Sequence, residues 1–161
     1  MDAITALAAS VDSPLLHAAG LAIDNAFIYA ALALSILLIG ERRNGKRLKI
    51  AASIALALVL ATGVKYALAH DRPCAGQSWC PDDYSFPSIH ATAAFALMSG
   101  FLNKRSFILY LLFALFVSFT RMNIGVHYFE DIAAALPTAL VSYYVIDLAW
   151  KAGEAGHGPR D

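Results

Sequence analysis

The chain has no excess of either charge, only two cysteines and no visible internal repeat, and its first 20 residues contain no lysine or arginine. Each shortage narrows the reading. Twelve Lys and Arg balance twelve Asp and Glu, so no net field draws the chain to nucleic acid, and no nucleic-acid partner is expected. Without a basic start, residues 1–20 lack the n-region of a secretory signal and are kept as part of the folded chain. The absence of repeats leaves residues 1–161 as a single domain. What the chain does have is apolar surface. It is 59% hydrophobic with a mean hydropathy of +0.59, against about 45–50% apolar usage in soluble domains. These values predict an all-α membrane protein embedded in a lipid bilayer.

The apolar runs predict a bundle of about five transmembrane helices, at residues 21–40, 48–68, 88–102, 106–120 and 131–150. About 20 residues cross a bilayer core, and the third run is short for that. Residues 1–20 read as a short N-terminal interfacial helix broken at Ser13-Pro14, Pro137 as a kink in the fifth helix, and residues 151–161 as a flexible tail. Five basic residues fall within 41–49, with Lys104 and Arg105 in a second loop and Lys151 beyond the last helix. If five helices cross in turn, all of these share one side, which the positive-inside rule makes cytoplasmic together with the C-terminus. The 72–87 and 121–130 loops then face outward, as expected of a plasma-membrane protein with an extracytoplasmic site. Cys74 and Cys80, six residues apart in the first of those loops, are expected to pair there.

Charge in such a chain needs a reason. Residues 120–131, TRMNIGVHYFED, set Arg121, His127 and Asp131 between two apolar runs. Four residues apart on a turn of helix, His127 and Asp131 would lie within reach, so the carboxylate could fix one ring nitrogen and free the other as a base or nucleophile. The plain alternative is an interfacial histidine with a helix-starting aspartate. A second constellation is Pro87-Ser88-Ile89-His90, at a predicted helix start where free amides and a hydroxyl favour an anion. There the plain alternative is a Ser N-cap beside an incidental histidine. Third, Lys65 and Arg72 are seven residues apart and so share a helix face with only about 20° of drift, although a lysine near a span end also snorkels without further purpose.

Together, Lys65-x6-Arg72-Pro73, Pro87-Ser88-x-His90 and Thr120-Arg121-x5-His127-x3-Asp131 resemble the signature of the type 2 phosphatidic acid phosphatase superfamily, which also contains vanadium haloperoxidases. The motifs cover roughly residues 60–135. Two positions depart from the pattern: Ile89 stands where the family usually has Gly, and Thr120 where it usually has Ser. The Ile89 amide survives, while glycine's conformational freedom does not.

The resemblance implies that His127 attacks phosphorus and forms a phosphohistidine, that Asp131 orients it, and that His90 serves as acid and then base. It further implies that Lys65, Arg72, Arg121, Ser88 and the backbone at Ile89 hold the phosphate oxygens, with no cofactor and no metal. His90, His127, Asp131 and His70 could ligate a metal, but three cations in one site favour an anion over a divalent ion. The expected partner is a lipid phosphate or diphosphate, foremost a polyprenyl diphosphate of the undecaprenyl or dolichyl type. Phosphatidic acid and phosphatidylglycerophosphate are the alternative substrates. A transporter that binds a lipid phosphate without cleaving it is the alternative from another class.

Overall fold

The computed structural model describes residues 1–156, and among these the chain is all helical with no strand. The seven helices are α1 (Ala3–Ala9), α2 (Pro14–Asp24), α3 (Ala26–Gly40), α4 (Asn44–Leu68), α5 (Ile89–Ser99), α6 (Phe107–Asn123) and α7 (Phe129–Gly156). Helix α5 is the centre. Every residue from Ala91 to Ser99 is buried, and α3, α4, α6 and α7 pack around it. Its alanines allow that enclosure, because small side chains let neighbouring backbones approach closely.

The outer helices show the opposite pattern. Leu109, Leu112, Val141 and Tyr144 project outward, as expected where the solvent is lipid. Helices α4 and α7 are long and apolar enough to cross a membrane, and α1 with α2, bent by 109°, would make a third crossing if taken as one broken span. Helices α3, α5 and α6 are apolar but shorter. For α3 the reason lies at Asn25, which splits the expected 21–40 span: its side-chain oxygen accepts from the amides of Phe27 and Ile28 at 3.1 Å and starts a new helix. The 15 residues of α3 then span only about 22 Å.

The N-terminal segment also differs from the single surface helix expected. It forms two helices that clasp the α6–α7 turn. Asn123 donates to the carbonyls of Ala8 and Val11 at 2.9 Å, and Thr5 Oγ1 accepts from the Phe129 amide at 2.8 Å. At the other end α7 runs through Pro137 without stopping and continues past Trp150 to Gly156. The remainder of the expected tail, 157–161, lies outside the described residues. Cys74 and Cys80 are joined in a disulfide with Cα atoms 5.5 Å apart.

At the basic end, buried Glu41 receives Lys104 at 2.9 Å, Arg43 at 3.6 Å and Lys46 at 3.9 Å. Next to it Tyr110 stacks on Phe101 at 3.7 Å, and a Cβ at Gly40 would meet the Tyr110 hydroxyl at 1.8 Å. Gly40→Ala should therefore force this stack apart and cost about 1–3 kcal/mol, as overpacking does. A lowered thermal midpoint in detergent would report it, and an unchanged midpoint would mean that the contact is soft.

Candidate active site

The end of the bundle opposite Glu41 gathers the three sequence motifs. At the close of α6 the chain turns through Gly125, whose φ of +76° suits glycine. This brings Arg121 and His127 to the same end. Helix α7 starts at Phe129, so Asp131 occupies its third position and reaches back to accept from the Tyr128 amide at 2.8 Å. That is the acidic half of a capping box. The same oxygen, Oδ2, lies 3.1 Å from His127 Nδ1. Histidine and aspartate meet as the sequence predicts, although His127 precedes the helix instead of riding on it.

The protonation pattern of His127 follows from its partners. A carboxylate accepts, so Nδ1 carries the proton. Arg72 Nη1 lies 3.2 Å from Nε2 and can only donate, so Nε2 presents its lone pair. Burial, followed by the charges of Arg72, Arg121 and Lys65, holds His127 well below the ordinary histidine range. The ring is neutral at physiological pH, as a nucleophile must be.

Each cation is held by groups outside the motifs. Arg72 is buried; its Nη1 also donates to the Val126 carbonyl at 2.9 Å, its Nε to the Asp83 carbonyl at 2.9 Å, and its Nη2 to Asp83 Oδ1 at 2.5 Å. Lys65 donates to the Tyr84 carbonyl and lies 3.2 Å from Asp83 Oδ2. One carboxylate thus bridges the Lys65 and Arg72 clamp. Burial opposes its charge, but hydrogen bonding from Arg72 and the charges of Arg72 and Lys65 outweigh that and keep Asp83 below the usual carboxylate range. Arg121 pairs with Asp24 at 2.5 Å, and its buried Nε has no partner among the described residues.

Ser88 is the N-cap of α5. Its hydroxyl oxygen caps α5 by accepting from the Ala91 amide at 3.4 Å, while its own amide donates to the Asp131 carbonyl at 3.1 Å. Ser88 thereby ties α5 to α7. The amides at the α5 start that precede any intrahelical bond are those of Ile89 and His90. Tyr29 of α3 lies against the His90 ring at a centroid distance of 5.0 Å and donates its hydroxyl to the His90 carbonyl at 2.7 Å.

Sequence reasoning singled out none of Asp24, Asp83 and Tyr29. A carboxylate needed to balance a buried cation is a usable signal, but its partner cannot be chosen without the fold. Tyr29 offers no signal within its apolar run.

An apolar groove of about 400 Å³ runs between α3, α4 and α5, lined by Ala33, Leu37, Ile54 and Leu58 and reaching His90. A second cavity, of about 340 Å³, lies beside Asp24, Trp79 and Val126.

Comparison with known proteins agrees with this arrangement. Residues 46–153 match the family model described as the PAP2 superfamily. No curated protein matches the sequence. Among solved structures, LpxE of Aquifex aeolicus superposes with a TM-score of 0.73 at 19% identity, over 90% of this chain and 93% of that one. A transmembrane PAP2-type phosphatidylglycerolphosphate phosphatase from Bacillus subtilis gives 0.70 at 19% identity, over 98% and 85%.

Two outcomes are expected from this geometry. In ring-labelled protein followed by NMR, His127 should stay neutral as the pH falls through about 6.5, where a free histidine is half protonated; half-titration near that pH would remove the tautomer argument. Asp83→Asn removes a tethered anion but leaves the carbonyls of Asp83, Tyr84 and Val126 to hold Arg72 and Lys65. Inorganic phosphate or vanadate should then bind several-fold more tightly, and weaker binding would show that Asp83 is needed to hold the clamp.

Proposed function

The chain belongs to the PAP2 superfamily, and from that premise we propose that it is a membrane-integral lipid phosphatase working through a phosphohistidine at His127. The observation that carries this reading is the pair of contacts on the His127 ring: Asp131 on Nδ1 at 3.1 Å and Arg72 against Nε2 at 3.2 Å. A bystander histidine has no need of a carboxylate on one nitrogen and a cation on the other.

In the proposed mechanism a lipid phosphate enters with its oxygens toward Lys65, Arg72 and the unpartnered Nε of Arg121. Arg72 then turns from Nε2 to a phosphate oxygen, which uncovers the lone pair. Nε2 attacks phosphorus as the bond to the leaving oxygen breaks, and His90 gives that oxygen a proton. Asp131 stabilises the cationic ring. Water, deprotonated by His90, attacks the phosphohistidine and returns the electron pair to Nε2. Phosphoryl transfer chiefly needs positioning and charge stabilisation, and three cations with the amides of Ile89 and His90 can supply both. No step calls for a metal.

The groove ending at His90 supports a substrate with a long apolar chain. A chain already in lipid gains little by moving into an equally apolar groove, so the groove serves to guide the chain and the cations supply affinity. Within this reading we place a polyprenyl diphosphate first. Phosphatidylglycerophosphate is the second candidate, favoured by the structural likeness to the Bacillus subtilis enzyme. We further place the protein in the plasma membrane, crossing it five times, with the site on the extracytoplasmic face and the basic loops inside.

Three measurements test this. His127→Ala should abolish phosphate release, His90→Ala should lower it about a hundredfold or more, and rapid quenching with labelled substrate should trap acid-labile phosphate only when His127 is present. Chelators should leave activity intact, and a requirement for added magnesium would overturn the mechanism. A panel of lipid monophosphates and diphosphates, scored by released phosphate, ranks the substrates; binding without release from any of them would favour the transporter. In intact cells, an impermeant thiol reagent should label Cys74 and Cys80 only after reduction, whereas labelling that requires broken membranes would invert the topology.

A further inference from the structure

One cluster shares Asp131 with the site and adds two residues, His70 and Glu130, that no step above uses. His70 follows the left-handed residue Ala69 that ends α4, and Glu130 and Asp131 lie in the first turn of α7. One ligand-capable atom from each of the three residues lies within 4.8 Å of the others, and His70 Nε2 is 3.6 Å from Glu130 Oε1.

Three features set this cluster apart from an ordinary acidic surface. Ser85 Oγ directs its single proton toward the carbonyls of His70 and Asp71, each at 3.1 Å, so at 3.0 Å from His70 Nδ1 it acts as an acceptor. Nδ1 is thus turned to Ser85, and Nε2 faces the Glu130 carboxylate, a position that a shared cation fits. Asp131 is fully buried; Oδ2 is engaged by His127 and Tyr128, while Oδ1 has no hydrogen-bond partner within 3.5 Å among the described residues, and the Ser85 hydroxyl lies near enough only to favour the carboxylate's charge. The His70 and Glu130 side chains are 46% and 63% exposed, which gives an ion a path from solvent and leaves both ligands free to adjust around it.

We propose that His70, Glu130 and Asp131 form a binding site for a divalent cation of the zinc class, and that its occupancy inhibits the phosphatase. One imidazole and two carboxylates with room for water suit such an ion. The bond from His70 Nδ1 to Ser85 is the outer support that fixes a ligating imidazole. The inhibitory consequence rests on the function proposed above, whereas the binding does not. A cation at Asp131 draws negative charge away from the carboxylate that holds His127 Nδ1, leaving Nε2 less basic and the cationic ring of the phosphohistidine less stabilised. Arg72 meets the opposite nitrogen of the same ring, so this site is distinct from the phosphate clamp.

The test uses tag-free full-length protein in detergent, titrated with zinc by calorimetry while phosphate release from a lipid monophosphate is measured in parallel. One equivalent should bind and inhibit. His70→Gln and Glu130→Gln, both at exposed positions, should each weaken zinc binding at least tenfold, retain phosphate release without zinc and resist inhibition. Absence of stoichiometric binding, or unchanged affinity in both variants, overturns the site. Loss of binding in both variants with inhibition intact overturns the link to Asp131. If no lipid phosphate is hydrolysed at all, the function fails while calorimetry still decides the site.

Discussion

The buried guanidinium of Arg72 is the contact on which the rest depends. It lies past the end of α4 at Leu68, so it does not share a helix face with Lys65 as the spacing predicts. From the start of the 72–87 loop it joins the far part of that loop through Asp83 to the α6–α7 turn through Val126 and His127. A guanidinium taken out of water is tolerable only if its donors are met, and four of its five N–H groups are met here by the backbone of two loops, a carboxylate and the His127 ring. Those loops are placed by the cation they surround. The disulfide between Cys74 and Cys80 lies between Arg72 and Asp83 in sequence and shortens the free path of the loop that has to return to it.

Charge balance follows from the same constraint. Lys65, Arg72 and Arg121 are matched by Asp83, Asp24 and Asp131, so the substrate-free site has no large uncompensated charge. An arriving phosphate dianion therefore meets cations that already have partners. It must compete for them, and the accessible competitors are Asp24 and Asp83, whose side chains are 42% and 38% exposed while Asp131 is fully enclosed. The carboxylates divide accordingly: the buried one orients the ring, and the exposed ones hold the cations until substrate arrives.

The sequence alone made the membrane class, the helical architecture and the convergence of Lys65, Arg72, His90, Arg121, His127 and Asp131 legible. Composition and spacing carry that information locally. Helix ends were less legible, since Asn25 inside an apolar run looked like a tolerated interruption when its side chain in fact caps a new helix. Continuation of α7 beyond Trp150 was hidden for a related reason, because the polar residues there weaken the membrane signal without ending the helix. The bond from the Ser88 amide to the Asp131 carbonyl, which ties α5 to α7, was likewise invisible in the sequence. Asp24, Asp83 and Tyr29 act through partners 97, 11 and 61 residues away, and no local pattern encodes such pairings.

In the mechanism we propose, masking of His127 by Arg72 has a further consequence for selectivity. While Arg72 Nη1 faces His127 Nε2, the lone pair is engaged, and burial together with the same charge keeps the ring neutral. Water cannot supply what a phosphate supplies, since only an anion competes for a guanidinium strongly enough to turn it. Uncovering of Nε2 is thus coupled to arrival of the group it attacks. A lysine in this position could not act in the same way: with one nitrogen and no fork, it could not hold the Val126 and Asp83 carbonyls while releasing the ring. The arginine of the first motif is required by geometry, for it must stay anchored on one side while it exchanges partners on the other.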